Sequence, residues 1–311
     1  MYKHVFGPVP SRRLGVSLGV DLVEAKTCNL NCIYCECGGN SKTYSERGSY
    51  VNVDEVKEEL KSALKKIKPD YITFSGSGEP TLNSDIGTLI RWVKENTDSK
   101  VAVITNSTLL HFDEVVEDIL EADVIMPSLD AISEEVFIQI NRPHPSLKSE
   151  DILKGLVKLS EKFKGKILLE VFIVEGVNDT PQELKLFAEF LKRLGIEAIQ
   201  LNTLARPGAV DWIVPATFKR LNEIKKYFES FGVLGVEIIK KYKSRDQIEK
   251  YSPEGEKLIL NMLSKRPYAL EELCEMVGEK KEELYKYLEI LEKESKIEFV
   301  YMEGSFFLKK L

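Results

Sequence analysis

From about residue 15 to residue 230, short runs of β-branched residues alternate with longer stretches in which apolar residues recur every three or four positions. The short runs predict buried strands, and the longer stretches predict amphipathic helices. Six strands are predicted, each followed by a connection, and from the second onward each connection carries a helix. The predicted strands are VSLGVDLV (16–23), YITFSG (71–76), KVAVIT (100–105), DVIMPSL (123–129), KILLEVFIV (166–174) and EAIQLNTL (197–204).

This alternation predicts an α/β fold with a parallel sheet built from right-handed βαβ units. Six units predict a partial (β/α)6 barrel rather than the closed eight-unit form, with functional residues where the strands end. Asp54 is the expected N-cap of the first helix. The predicted helical segments are VNVDEVKEELKSALKKI, IGTLIRWVKEN, FDEVVEDILEA, SEDILKGLVKLSEKF, TPQELKLFAEFLKRLG and PATFKRLNEIKKYFESFG.

The pattern changes near residue 236, which predicts a barrel over residues 1–235, a mixed-charge connector over 236–252 and a small domain over 253–311. The last segment predicts three helices and a hairpin of KIEFVYM and SFFLKKL that turns at Glu303-Gly304, which is the winged-helix order. Its third helix, EKKEELYKYLEILEKE (279–294), carries more Glu than Lys. That charge argues against DNA recognition. Peptide or protein docking and a packing or dimerisation role both stay open.

Composition is typical of a globular protein, with 43% hydrophobic and 30% charged residues among 311. The net charge of −6 gives no electrostatic footprint for nucleic acid. No apolar run resembles a signal peptide or reaches the roughly 18 residues of a membrane span. We therefore expect a cytoplasmic protein without a membrane partner. In that compartment thiols stay reduced, so clustered cysteines favour metal or redox chemistry over disulfides.

Four of the five cysteines lie between residues 28 and 37. Structural zinc sites usually pair two ligand knuckles, but here no second knuckle exists, Cys274 is remote and the three histidines are scattered. Three thiolates at Cys28, Cys32 and Cys35 suit a cubane cluster that leaves one iron without a protein ligand. A zinc loop and unligated cysteines remain alternatives. Cys37 is an alternative ligand, a redox partner, a second catalytic group or a small loop residue. Cys274 is expected in a core.

The spacing Cys28-x3-Cys32-x2-Cys35 after a first strand resembles the signature of the radical S-adenosylmethionine (SAM) superfamily. The resemblance implies that these cysteines hold a [4Fe–4S] cluster whose fourth iron binds the amino and carboxylate groups of SAM. It also implies reductive cleavage of SAM to a 5′-deoxyadenosyl radical, which abstracts hydrogen from a substrate. Tyr34, an aromatic residue before the third cysteine, is implied to lie against the adenine. An external one-electron reductant of the flavodoxin or ferredoxin type is implied as a partner.

The second strand runs into SGSGEPTLN, residues 75–83, where glycines let the backbone approach a ligand and Glu79-Pro80 ends the strand. This stretch resembles the Gly-Gly-Glu motif of the superfamily, with Ser77 in place of the first glycine. The motif receives the ammonium group of SAM, so the resemblance implies SAM contacts at Gly76, Ser77, Gly78 and Glu79. A glycine-rich turn without ligand contact is the alternative.

Polar residues also follow the later strands, where a buried strand does not need them. In the superfamily such positions contact the ribose, carboxylate and adenine of SAM, which implies contacts at Asn106, Ser128, Asp130 and Asn202. Capping or loop hydrogen bonding is the alternative for each of them. The Asn178-Asp179-Thr180 segment predicts mainly a helix start. Further candidates at strand ends are Thr105, Ser107, Glu170, Gln200 and Arg206. Arg142 and His144 belong to the NRPHP loop, which either contacts the substrate or is a surface loop.

The segments VFGPVPSRRLGVSLGVDL (5–22), TFSGSGEPTLN (73–83) and IQLNTLARPG (199–208) resemble uncharacterised proteins related to the radical SAM wyosine-base synthases of tRNA. Those synthases carry a second cluster on additional cysteines, whereas no cysteine precedes Cys28 here. The resemblance implies an enzyme acting on a peptide or protein side chain, a tRNA base or a glycyl-radical enzyme. The rival hypothesis is a non-enzymatic iron–sulfur redox regulator with a DNA-binding winged helix, which gives the Gly-x-Gly-Glu turn no purpose.

Overall fold

The computed structural model falls into two compact units, Tyr2–Ile239 and Lys240–Leu311. It describes residues 2–239 except 12, 41, 195 and 205–207. In the second unit it describes residues 253–264, 268–269, 273, 284, 287–288, 290–292, 294–302 and 305–311. Within these parts of the chain, no helix is both long enough and apolar enough to cross a bilayer.

The first unit contains an eight-stranded sheet in which spatial order follows chain order. Its first two strands are antiparallel, and all later neighbours are parallel. The six predicted strands are β2 to β7, so the predicted α/β fold with a parallel sheet is confirmed. The strands are β1 (Val5–Ser11), β2 (Gly15–Val20), β3 (Tyr71–Phe74), β4 (Lys100–Thr105), β5 (Val124–Pro127), β6 (Lys166–Phe172), β7 (Ala198–Asn202) and β8 (Val236–Ile238).

Two strands of this sheet, β1 and β8, were not predicted, so the sheet is wider than six strands. β1 contains Pro8 and Pro10, residues that depress strand propensity and are tolerated at a sheet edge. The carboxylate of Glu59 holds the start of β1 and the residues before it in place. It accepts hydrogen bonds from the backbone N–H groups of Lys3, His4 and Val5 at 2.8, 2.8 and 3.0 Å. β8 has only three residues.

Helices connect the parallel strands, and all six predicted helical segments are present. One helix of the first unit, the eight-residue α4, was missed. The N-cap of α1 was predicted at Asp54 and is instead Asn52, whose side chain accepts the N–H groups of Asp54 and Glu55 at 3.0 and 3.3 Å. The helices are α1 (Val53–Leu64), α2 (Ile86–Asn96), α3 (Asp113–Ile119), α4 (Glu134–Asn141), α5 (Ser149–Lys162), α6 (Pro181–Leu194) and α7 (Phe218–Ser230), with a 3-10 helix at Pro80–Leu82.

The main hydrophobic core fills the space between the helices and one face of the sheet, and it includes Leu18, Val103 and Leu201. Strand side chains alternate between the two faces, so the intervening residues line the other face. There a smaller apolar cluster joins Ala102, Val124 and Met126 to Leu14 from the β1–β2 turn. The sheet thus places a packed layer on one side and leaves its second face for a site.

The second unit contains α8 (Pro253–Leu263) and the strands β9 (Tyr268–Ala269), β10 (Ile297–Met302) and β11 (Ser305–Lys310), in the order β10-β11-β9. β10 and β11 pair antiparallel, which confirms the predicted hairpin. Its turn at Glu303-Gly304, Cys274 and most of the predicted third helix lie outside the described residues, as do residues 240–252 of the predicted connector. The winged-helix assignment and the domain boundaries stay predictions.

Candidate functional site

The cysteine loop follows β2 and lies at the carboxyl edge of the sheet. Cys28, Cys32 and Cys35 are half-buried, Cys37 is exposed, and all four thiols are free. The loop folds on itself, because the N–H of Cys35 donates to the carbonyl of Cys32 at 3.1 Å and the N–H of Gly38 donates to that of Cys35 at 3.0 Å. The backbone therefore holds three reduced thiols on one short, turned segment.

Helix α4 provides the second attachment of this loop. The carbonyls of Ile140 and Asn141, at the end of the helix, accept the N–H groups of Ile33 and Asn31, both at 2.9 Å. The last carbonyls of a helix lack intrahelical partners, so a passing loop can satisfy them. Arg142, with φ of 44°, ends the helix in the left-handed conformation. The sequence did contain a signal for α4, namely Ser133, whose hydroxyl accepts the N–H of Val136 as an N-cap.

Side-chain amides approach two of the three sulfurs. The Nδ2 of Asn106 lies 3.5 Å from the Sγ of Cys28, and the Nδ2 of Asn141 lies 3.3 Å from the Sγ of Cys32. Asn106 follows β4 and was predicted at the site as a SAM contact. Asn141, at the end of α4, was not predicted. Both amides direct N–H donors at groups that carry negative charge when they bind a metal.

The thiols differ in acidity because they differ in surroundings. Burial raises the pKa of Cys28 to about 12 and holds the pKa of Cys32 well above its usual range. The Cys37 thiol donates a hydrogen bond to Cys35 and lowers the pKa of Cys35 to about 6. A cluster requires Cys28, Cys32 and Cys35 as thiolates. Burial disfavours the thiolate form, and the positive charge of bound iron favours it.

The donor set fits an iron–sulfur cluster. Cys28, Cys32 and Cys35 are free and lie on one loop, and the first two receive side-chain amide donors. Soft thiolates are the ligands such clusters take. In the part of the chain that the structure describes, no three His, Cys, Asp or Glu side chains converge to hold a single metal ion. A cubane does not demand that convergence, because each thiolate binds a different iron.

The SGSGE turn packs against the segment that leads into the cysteine loop. A Cβ on Gly78 would lie 2.2 Å from the carbonyl oxygen of Thr27, and one on Gly76 would lie 2.2 Å from the Cγ of Asp21. The backbone N–H and hydroxyl of Ser77 donate to the Oδ2 of Asp21 at 2.9 and 2.7 Å. The close approach expected from these glycines therefore exists, and it is to the chain itself. Their predicted contacts with SAM stay predictions.

Glu79 joins the ends of β3 and β4. Its carboxylate is 2% exposed and accepts hydrogen bonds from the N–H and hydroxyl of Thr81, the hydroxyl of Thr105 and the N–H of Asn106, at 2.6–3.0 Å. Burial raises the pKa of Glu79 despite these donors. Its backbone N–H also donates to the carbonyl of Thr27. Glu79 thus positions the turn and the start of the Asn106 loop, and its contact with the SAM ammonium stays a prediction.

Tyr34 lies beside the cysteines on a buried polar and aromatic cluster. Its ring stacks on Phe172 with centroids 4.0 Å apart, and its hydroxyl donates to the Oδ2 of Asp130. Asp130 also accepts from Asn141 at 2.9 Å and from the N–H of Phe172 at 3.1 Å, and burial raises its pKa to about 6. Phe172 was not predicted, although it shares a sheet face with Glu170 two positions earlier.

A row of polar residues crosses four neighbouring strands on the same face. Ser128 is in register with Glu170, Glu170 with Gln200, and Gln200 with Glu237. Arg13, from the β1–β2 turn, donates to Glu170 at 2.6 Å and to Gln200 at 3.3 Å. Neither Arg13 nor Glu237 was predicted, because nothing in their local sequence shows that they face this row.

The remaining predicted residues divide between this edge and its surroundings. Asn202 ends β7 in register with Phe172. Ser107 donates to the carbonyl of Ser128 at 2.8 Å. Arg142 and His144 line a surface cavity of about 360 Å³ beyond α4. Asp179 binds Arg220 at 2.7 Å near the start of α6, and Arg206 lies outside the described residues.

A family model for the Radical SAM superfamily matches residues 25–199, more than half of the chain. The chain belongs to the radical SAM superfamily. It is an enzyme, and the cofactors of its superfamily are a [4Fe–4S] cluster and SAM. The matched segment begins just before Cys28 and ends within β7, so it contains the cysteine loop, the SGSGE turn and the polar cluster around Tyr34.

Several relatives match most of this radical SAM protein. A Brachyspira hyodysenteriae protein described as GTPase Obg is 38% identical over 267 residues, which are 85% of this chain and 39% of that protein. The chain thus spans less than half of that relative. A Methanocaldococcus jannaschii protein described as UPF0026 protein MJ1312 is 31% identical over 277 residues, which are 88% of this chain and 85% of the relative.

Solved structures show the same fold. The structure described as TYW1 with a lysine–pyruvate adduct bound has a TM-score of 0.54 at 19% identity, over 69% of this chain and 73% of that one. Streptococcus suis SuiB bound to S-adenosylmethionine has a TM-score of 0.54 at 15% identity, over 71% and 50%. At these identities the likeness concerns the fold alone.

Proposed function

We propose that this radical SAM enzyme binds a [4Fe–4S] cluster through Cys28, Cys32 and Cys35 and cleaves SAM reductively. The observation that carries the proposal is the loop itself, on which three free thiols lie together at the carboxyl edge of the sheet. When bound, the cluster supplies the electron that converts SAM to methionine and a 5′-deoxyadenosyl radical, which abstracts hydrogen from the substrate. The cofactors carry this chemistry, and the protein binds and orients them.

The residues around the loop fall into two groups: those whose polar groups already form hydrogen bonds within the protein, and those whose polar groups do not. Glu79 and Asp130 are buried and accept several protein donors, so we assign them to positioning the loop and Tyr34. The side chains of Ser128 and Asn202 are half-buried and form no hydrogen bond to any residue that the structure describes. Their free hydroxyl and carboxamide favour contact with polar groups of SAM. Gly76 and Gly78 offer backbone groups at the same edge, whereas the N–H and hydroxyl of Ser77 already donate to Asp21.

The substrate and partners are proposed only by class. We propose a peptide or protein side chain or a tRNA base as substrate, and a flavodoxin- or ferredoxin-type protein as reductant. The sequence resemblance to relatives of the radical SAM wyosine-base synthases supports a tRNA base as substrate. None of residues 1–27 is a cysteine that could hold a second cluster. The chain contains no G-x-x-x-x-G-K-S/T phosphate loop, so we do not carry the GTPase name of one relative into the proposal.

The test is anaerobic reconstitution with iron and sulfide, followed by dithionite and SAM. We expect about four irons per chain and formation of 5′-deoxyadenosine. Cys32→Ala is expected to lose both the brown absorbance and the product, whereas the matched control Cys37→Ser is expected to keep both. Cluster-loaded protein that forms no 5′-deoxyadenosine would contradict the proposal. Cluster retained in Cys32→Ala would identify Cys37 as a ligand.

The regulator hypothesis makes a different prediction in the same experiment. A redox regulator would bind DNA in a manner that depends on the cluster and would leave SAM intact. Its recognition helix would have to be basic, whereas residues 279–294 carry more Glu than Lys. Membership of an enzyme superfamily and this charge both favour the enzyme.

A further inference from the structure

The side-chain NH2 groups of Asn106 and Asn141 make the same pair of contacts, one to a cysteine sulfur and one to a side-chain oxygen. One amide hydrogen of Asn106 faces the Sγ of Cys28 and the other donates to the Oδ1 of Asn29 at 2.8 Å. One amide hydrogen of Asn141 faces the Sγ of Cys32 and the other donates to the Oδ2 of Asp130 at 2.9 Å. Two elements distant in sequence, the β4 end and the α4 end, thus present the same group to two sulfurs.

Neighbouring groups fix the orientation of each amide. The Oδ1 of Asn106 accepts the N–H and the hydroxyl of Thr108 at 3.1 and 2.6 Å, so a flipped amide would turn its NH2 toward a backbone donor. Asn141 faces a carboxylate with the same nitrogen that approaches sulfur, and a carboxylate accepts hydrogen bonds from an NH2 group. Both amides are therefore held with a nitrogen toward the thiol.

The acceptors at these positions are the two thiols whose pKa burial raises, Cys28 and Cys32. A buried thiolate without donors is costly, and hydrogen bonds to cluster sulfurs are one of the means by which a protein sets the reduction potential. One-electron reduction adds negative charge to the cluster, so an N–H donor stabilises the reduced state more than the oxidised state.

We propose that Asn106 and Asn141 are positioning residues that hold N–H donors on the cluster sulfurs of Cys28 and Cys32 and raise the reduction potential of the cluster. The inference rests on the proposed function, because it requires the cluster. It assigns Asn106 to the cluster rather than to SAM, and it gives α4 a role in electron uptake.

The test is a redox titration of the reconstituted protein without SAM, in which the reduced cluster is followed by electron paramagnetic resonance. Asn106→Leu and Asn141→Leu keep the approximate side-chain size and remove the donors. Each is expected to lower the ratio of reduced to oxidised cluster at a fixed potential about tenfold. For a one-electron couple, this corresponds to a reduction potential lower by about 59 mV. The shifts are expected to add in the double variant, because the two amides lie on different elements and contact different thiols.

A second measurement distinguishes an effect of the amide hydrogen bonds on the reduction potential from an effect of the substitution on side-chain packing. Exchangeable-proton couplings to the cluster, measured by electron–nuclear double resonance after transfer to D2O, are expected to weaken in each Leu variant. Asn83→Leu is the matched control, since it makes the same exchange at a buried amide whose nitrogen donates to the carbonyl of Leu22 at 2.8 Å and not to a sulfur. It is expected to leave the potential unchanged. Where a Leu variant fails to fold, Asn→Ser at the same position enters the same titration.

The outcomes discriminate between the two proposals. Full iron content with unchanged potential and couplings in the Leu variants would overturn the inference and leave the proposed function intact. Reduced iron content with an unchanged potential in the remaining cluster would also overturn it, because the amides would then only hold the loop. A wild-type protein that takes up no cluster would overturn the proposed function, and the inference with it.

Discussion

At Gly78 the chain has no room for a side chain. A Cβ there would lie 2.2 Å from the carbonyl of Thr27, and backbone cannot move aside as a flexible side chain can. The clash is with the residue directly before Cys28, so this glycine affects the geometry of the cysteine loop. The motif therefore has a structural role in this fold in addition to any contact with SAM.

We predict that Gly78→Ala lowers the free energy of unfolding of the cluster-free protein by about 1–3 kcal/mol. For a unit of this size the melting temperature falls by about 2–4 °C for each kcal/mol. Gly48→Ala is the matched control, because a Cβ at Gly48 meets nothing within 4 Å. Thermal melts followed by circular dichroism measure both variants. Equal melting temperatures for the two would show that the turn can shift away from Thr27.

Among single residues, the sequence identified the cysteines of the candidate site more readily than the residues that position them. Cys28, Cys32 and Cys35 were recognisable by spacing, which is a local property of the chain. Asn141 and Arg13 were not, because each meets the site only after α4 or the β1–β2 turn folds back across it. Glu79 was recognised as a site residue, yet its saturation by protein donors depends on Thr105 and Asn106 from another strand.

At the scale of elements, the start of α1 shows how a cap is chosen. Asn52 and Asp54 are both good N-cap residues, and only the backbone decides between them. Asn52 has extended dihedral angles and accepts two N–H groups, whereas Asp54 lies within the first turn. Asn52→Ala is expected to cost about 1 kcal/mol of unfolding free energy. Asp54→Ala is expected to cost no more than about 0.5 kcal/mol, since it loses only a favourable charge at the helix start and an exposed ion pair with Lys57 at 3.9 Å. Urea unfolding measures both, and a larger cost for Asp54→Ala would contradict the assignment.

The attachment of β1 to α1 gives a pH-dependent prediction. Partial burial raises the pKa of Glu59. The backbone N–H donors of Lys3, His4 and Val5 lower it by a larger amount together, so the pKa of Glu59 lies below its ordinary value of 4.5. A depressed carboxylate pKa contributes stability above the unfolded-state value, and this stability is lost as the pH falls through the folded-state value. Glu59→Gln is therefore expected to be less stable than the wild type at pH 7, by an amount on the order of 1 kcal/mol.

The difference between wild type and Glu59→Gln should narrow as the pH falls below about 4.5, where the wild-type carboxylate becomes protonated. Urea unfolding at pH 7, 5 and 3.5 measures it. Glu95→Gln controls for the general loss of a charge, because Glu95 is exposed on α2 and forms no ion pair with any residue that the structure describes. A difference that stays constant with pH would mean that the carboxylate charge does not hold β1.

Elements were predictable where their pattern is periodic and long. β2 to β7 and the long helices have clear apolar periodicity, so they were recognised from sequence. β1 has two prolines and β8 has three residues, so neither presents enough periods for a pattern to emerge, and α4 was missed although Ser133 marks its start. Their positions are set by tertiary contacts, such as the carboxylate of Glu59 for β1 and the cysteine loop for α4.

At the scale of the whole molecule, the described residues form separate hydrophobic clusters in the two units. One includes Leu201 and Phe187 in the first unit, and another includes Leu288 and Leu308 in the second. All four side chains are fully buried. Each unit thus has a core of its own, which is what a segment needs in order to unfold as a local cooperative unit.

We predict that Leu288→Ala removes about 2–5 kcal/mol from the second unit, the cost of deleting a buried leucine. Hydrogen exchange followed by mass spectrometry should then show faster exchange in peptides covering β10 and β11, with β3 to β6 unchanged. Leu201→Ala is the reciprocal variant. Hydrogen exchange is expected to become faster in β6 and β7 and to stay unchanged in β10 and β11. Loss of protection throughout the chain in either variant would show that the units unfold together. In that case the second unit would contribute to the stability of the cysteine loop, and substitutions in it would change cluster retention as well.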